Sequence, residues 1–180
     1  MNSTLKKTLQ VLFYGACFYL LNRFLLTEAA IAMIRFNYSH PFIVFISVIR
    51  GPWLGGFSYA LGEFLTEIGK DSFDWIAIAC SFLNCFSIGI CMKSVDIHMG
   101  FFEKKDIIRF NNIQLIFNLA CWSILYPVLS SFFMHIDLKI AFSQGIWKSI
   151  GFYISDLTAT TLFLVLYART RVSEANFYRN

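Results

Sequence analysis

Along the chain, apolar residues gather into long runs separated by short polar stretches. Six runs approach the roughly 20 residues that a helix needs to cross the hydrocarbon core of a bilayer. They extend from Thr8 to Leu26, Pro41 to Ile49, Pro52 to Ile68, Phe73 to Met92, Asn111 to Met134 and Ala141 to Ala168. The fourth and fifth are the clearest: Trp75 to Met92 and Phe110 to Met134 contain no charged side chain. The second is the shortest, and alone it fits either an upright crossing or a re-entrant segment. The pattern predicts an all-α integral membrane protein, a bundle of six transmembrane helices forming one domain over residues 1–180.

The placement of basic residues selects the upright crossing. With six spans, ten Lys and Arg residues fall on one side, including Lys6, Lys7, Arg50, Lys104, Lys105, Arg109 and the C-terminal Arg179. Three, Arg35, Lys70 and Lys139, fall on the other. Cytoplasmic segments are enriched in Lys and Arg, so both termini are expected in the cytoplasm. Omitting the second span would put Lys6 and Lys7 outside.

Composition agrees with a lipid environment. Hydrophobic residues make up 57% of the 180 and charged residues 14%, with a mean hydropathy of +0.61. Soluble domains carry about 25% charged residues. The net charge of +4 is spent in the loops, leaving no basic stripe for nucleic acid. Cys17, Cys80, Cys85, Cys91 and Cys121 all lie in apolar runs without a CxxC pair. They read as small packing residues, so no disulfide framework, metal site or cofactor is expected. Lys6 and Lys7 before an apolar run, with Ala30-Ile31-Ala32 beyond it, have the outline of a secretory signal. Arg23 and Glu28 interrupt it, and the segment is read as a retained first helix.

Catalytic signatures are absent: there is no HExxH, no Walker lysine loop and no GxSxG. His40, His98 and His135 fall at segment edges or in loops, where a histidine is usually just solvated. The most distinctive stretch is Arg50 to Glu63, with glycines at 51, 55, 56 and 62. Small residues let helix backbones approach closely in lipid, and Pro52 suits a first helical turn. Close packing does not account for Glu63, because a carboxylate inside a span is expensive and needs a partner or a cavity. Arg23 is a candidate partner. A structural pair and a ligand contact fit Glu63 equally well.

This stretch resembles the substrate-binding S components of energy-coupling factor (ECF) transporters. That family often carries a Gly-Pro-x-x-Gly-small stretch followed by Gly-Asp. Here it reads Gly51-Pro52-Trp53-Leu54-Gly55-Gly56, then Gly62-Glu63, with Glu in place of Asp. The chain departs from the family on the first helix. Spaced alanines are reduced there to Gly15 and Ala16, among bulky Leu12, Tyr19 and Leu20. The resemblance implies a non-enzymatic subunit in a prokaryotic cell membrane. It would bind a vitamin or similar micronutrient near the outer face. It would then associate with a membrane T component and two ATP-binding-cassette ATPases.

The resemblance also implies a pocket in the outer half of the bundle, mainly between the last three helices. On this chain that region holds Trp75 and Asn84, then Trp122 and Tyr126, then Gln144, Trp147 and Lys148, with Glu63 facing them from the third helix. A flat, ring-containing ligand suits such walls, and Lys148 hints at an anionic group on it. Trp75 and Trp147 fit an interfacial belt equally well, and for Lys148 snorkelling to the interface is the preferred reading. Asn84, Asn112 and Asn118 also fit plain hydrogen bonds between helices, and Asp156, mid-span in the last run, needs a single partner. Two other classes stay open. One is a membrane enzyme acting on lipid or isoprenoid through Glu63, Asp156 or a histidine. The other is an accessory subunit that binds no solute.

Overall fold

A computed structural model describes residues 3–24, 37, 39–68, 70, 73–95 and 97–177. The end of the first apolar run at Leu26, the loop residue Arg35 and the C-terminal Arg179 lie outside the described residues. Every regular element among the described residues is helical. Helix α1 spans Ser3–Phe24, α2 Ser39–Arg50, α3 Pro52–Glu67 and α4 Trp75–Cys91. Helix α5 runs without a break through Lys104–Asn118, Leu119–Leu125 and Tyr126–Met134. Helix α6 does the same through Leu138–Ser155, Asp156–Thr160 and Thr161–Phe177. A short 3-10 turn, Ile97–Met99, lies between α4 and α5.

Local chemistry sets the ends. Asn37 accepts the Ser39 N–H at 2.9 Å, so α2 starts ahead of its apolar run. Gly51 adopts φ 106°, a conformation open to glycine, and Pro52 then opens α3. Asp74 caps α4 by accepting the Ala77 N–H at 2.9 Å, and Asp137 caps α6. Before α5, Asp106 reaches back to the Glu103 N–H at 3.0 Å. That cap starts the helix at Lys104, well before the apolar run at Asn111. The last six residues of the polar stretch from Lys93 to Arg109 are therefore helix. Two continuous helical stretches, Lys104–Met134 and Leu138–Val172, are long and apolar enough to cross a membrane.

The bundle has two unlike interiors. Helix α3 packs most extensively on α4 and α1. A Cβ at Gly55 would collide with the backbone of Ser47 on α2, and one at Gly62 with the ring of Phe18 on α1. Phe18, Ile43, Val44, Tyr59 and Ile88 are completely buried there.

The other interior lies between α2, α4, α5 and α6. Buried residues on α5 recur every fourth position: Phe110, Gln114, Asn118, Trp122, Tyr126 and Ser130. On α6 the row is Phe152, Asp156, Thr160, Leu164 and Ala168, with half-buried Lys148 at its head. An α-helix turns once per 3.6 residues, so a four-residue row drifts by about 40° per step. Over the length of α5 such a row would leave the core. A π-helical segment within each row, Leu119–Leu125 and Asp156–Thr160, takes up the drift. There the Tyr126 N–H donates to the Cys121 carbonyl, and the Thr161 N–H to that of Asp156. Pro127 follows the first π segment and cannot donate to the preceding turn.

Candidate binding site

One end of the bundle carries the starts of α2, α4 and α6 and the ends of α3 and α5. Charged and aromatic side chains converge here. Helix α3 contributes Tyr59, Glu63 and Glu67, one turn apart and all buried. Glu67 pairs with Lys70 and accepts the Asp74 N–H at 3.3 Å. Asp74 in turn accepts the Tyr126 hydroxyl at 2.8 Å, joining α4 to α5.

Beneath this rim lies Lys148. Its Nζ is 3.7 Å from the centroid of the Trp122 ring, 5.5 Å from Tyr126 and 5.7 Å from Phe152. The ammonium is thus turned inward onto aromatic faces, and the expected snorkelling to the interface does not occur. A desolvated cation–π contact is worth about 2 kcal/mol, and Glu63, Asp74 and Glu67 all act on Lys148 electrostatically.

Deeper still, His40 stacks on Phe152 with centroids 4.3 Å apart and planes 4° from parallel, with Tyr59 edge-on at 5.3 Å. His40 Nδ1 meets Asp156 Oδ1 at 2.9 Å, and both side chains are fully buried. Asp156 also accepts from Thr160 at 3.2 Å and from Asn118 at 3.4 Å, while Asn84 donates to Asn118 at 3.1 Å. The network is incomplete. His40 Nε2, the Trp122 indole N–H and both amide atoms of Gln114 are buried without a hydrogen-bond partner among the described residues. Buried polar groups nearly always have partners, so these atoms mark this interior as incompletely bonded.

Asn84, Trp122, Tyr126, Lys148 and Glu63 come together in this way. Trp75 and Gln144 are exposed, and Trp75 packs edge-on against Phe133 at 5.5 Å, away from the cluster. Gln144 lies one turn before Lys148, but the row emerges from the core there. Trp147 is half-buried and has no ring contact with the cluster among the described residues. Arg23 does not pair with Glu63. It is exposed in the last turn of α1, where a cation complements the helix dipole, while Glu63 is buried on α3. Glu63 also sits about one turn from the end of α3, nearer the rim than the middle of a span.

His40 was expected in a solvated edge and is fully buried instead. Its partner Asp156 lies 116 residues away, so no local signal joins them. The four-residue rows on α5 and α6 were readable signals that single residues concealed.

An apolar helical bundle with a charged rim over an aromatic, incompletely bonded interior has the make-up of a membrane-embedded solute-binding subunit. The chain belongs to the S-component family of ECF transporters: the family model for the ECF-type riboflavin transporter S component matches residues 2–169. It is therefore a membrane, substrate-binding component of vitamin uptake, and the family is a transporter component rather than an enzyme. Relatives include a UPF0397 protein of Lactobacillus johnsonii, 31% identical over 171 residues covering 92% of this chain and 91% of the relative. Another, from Lactobacillus acidophilus, is 30% identical and covers 98% of this chain and 97% of its own. A third, from Enterococcus faecalis, is 27% identical over 92% of this chain and 91% of its own. No solved structure matches the chain.

Proposed function

We propose that this protein captures a vitamin-like micronutrient at the outer face of a bacterial membrane. It passes the nutrient to an ATP-driven module made of a membrane T component and two ATP-binding-cassette ATPases. The observation that carries the reading is the Lys148–Trp122–Phe152–His40 stack, flanked by buried polar atoms that lack partners. Flat aromatic walls favour a planar ring system. The indole N–H, the Gln114 amide and His40 Nε2 offer both donors and acceptors to a heteroatom-rich edge. Lys148 adds a site for an anionic substituent.

The reading includes six crossings with both termini in the cytoplasm. In that arrangement the cluster faces outward, and Arg50, Lys104, Lys105 and Arg109 face the cytoplasm. Cysteine labelling of the segment after His135 from outside, and of residue 104 from inside, tests the arrangement.

The family description makes riboflavin the first compound to try, with its phosphorylated form as the anionic variant. Titration of the purified protein with each should give saturable quenching of tryptophan fluorescence, reduced by Trp122→Phe. If neither quenches, and mass spectrometry finds no small molecule retained through purification, the solute-binding reading is wrong.

A further inference from the structure

The opposite end of the bundle carries a second feature. An open groove of about 550 Å³ lies between α4 and α5, lined by Cys91 on α4 and by Lys105, Ile108, Arg109, Asn112 and Ile116 on α5. Ile108 and Ile116 are strongly exposed, at 53% and 60%. Arg109 donates to the Cys91 carbonyl at 3.2 Å. That bond holds the guanidinium over the groove and uses one of its five N–H donors. Lys105 meets Glu103 at 3.2 Å, but both are well exposed, and such a pair holds weakly.

The order of residues along α5 matches the order of chemistry in a phospholipid. The stretch Lys104–Met134 has 31 residues and so is about 46 Å long, against a hydrocarbon core of about 30 Å. That surplus and the charges of Lys104, Lys105 and Arg109 put its first turns at headgroup level. Lys105 and Arg109 occupy those turns, Asn112 comes next at ester depth, and Ile116 lies about 10 Å beyond Arg109 along the axis. Cations at the phosphate, an amide at the glycerol esters and isoleucines at the chain form one continuous strip. A soluble anion has no use for the apolar half, and a protein partner does not require this ordering.

We propose that this groove is a binding site for an anionic phospholipid, with its phosphate on Lys105 and Arg109 and an acyl chain along Ile108 and Ile116. Basic residues near a membrane surface attract anionic lipid, so a zwitterionic lipid binds less well. The site is independent of the solute-binding reading, since it shares no residue with it.

The test uses the full chain purified from bilayers of equal phosphatidylglycerol and phosphatidylcholine, with bound lipid counted by native mass spectrometry. The wild type should retain phosphatidylglycerol in preference. Lys105→Gln with Arg109→Gln should cut that retention about tenfold or more. Lys6→Gln with Lys7→Gln, basic residues outside the groove, should leave it within about twofold. Ile116→Trp, which fills the apolar half without touching charge, should also lower it. Unchanged retention in both groove variants, or no lipid preference in the wild type, overturns the proposal. So does a double variant that keeps its lipid but loses co-purification of the energy-coupling module, which would make the groove a protein contact.

Discussion

Between α1, α2, α3 and α4 the backbones nearly touch, with glycines facing Ser47 and Phe18 and the remaining space filled mostly by buried apolar side chains, the hydroxyls of Ser58, Tyr59 and Ser81 among them. Between α2, α4, α5 and α6 the interior instead holds a lysine, a histidine, an aspartate, a glutamine and two asparagines, with several polar atoms unmatched. In lipid, close packing is what holds helices together. Both regions use it, for a Cβ at Gly145 on α6 would collide with the Trp122 carbonyl on α5. The second also keeps buried polar groups at its centre.

The sharpest way to break this contrast is to attack the fully buried pair of His40 and Asp156. Asp156→Leu should destabilise the protein by about 3–5 kcal/mol, because His40 is left buried without its partner. Adding His40→Phe should restore much of the loss. Thermal unfolding in detergent measures both, and a single variant as stable as the wild type would show that the pair carries no structural load. On the packed side, Gly55→Val should cost roughly 1–3 kcal/mol or more, since Ser47 cannot retreat. Whatever protein survives should bind ligand normally. A selective loss of affinity there would erase the division between the two regions.

Within the polar region, Trp122→Phe should weaken ligand binding about tenfold, or about 1.4 kcal/mol, while the bundle stays folded. Isothermal titration against the unfolding curve separates the two effects. Gln114→Leu should do something no packing residue does. It removes two unpartnered buried atoms, so stability should rise by about 1 kcal/mol while affinity falls. A drop in both quantities would mean that Gln114 is satisfied in the folded protein by water. Smallest of all, Arg23→Gln should change stability by less than about 0.5 kcal/mol, as expected of an exposed side chain away from the cluster.

Much of the helix pattern was legible because lipid and backbone impose it residue by residue. Long apolar runs need a bilayer. Gly51-Pro52 marks a break that any chain must make, and Asp74 and Asp137 cap the helices they precede. The resemblance carried by Gly51 to Glu63 pointed to the S-component family, and the family model bears it out. The site was legible in part. Trp122, Tyr126, Lys148 and Asn84 came from asking which polar or aromatic side chains stand where the resemblance implies a pocket, and Glu63 from its depth in a span. Trp75 and Gln144 satisfied the same question and lie on the outside, because depth says nothing about which way a side chain points.

That rotation is what separates the two levels. Sequence alone determined that this chain is apolar, helical and membrane-embedded, since transfer to lipid and helix capping depend on composition and near neighbours. Tertiary structure decided which face of each helix is inside. It did so through the π segments at Leu119–Leu125 and Asp156–Thr160, which hold a four-residue row on one side of a helix. It alone brought His40 to Asp156 across 116 residues and turned Lys148 onto Trp122. The energy of those contacts exists only after distant helices have packed, so no window of neighbouring residues contains it.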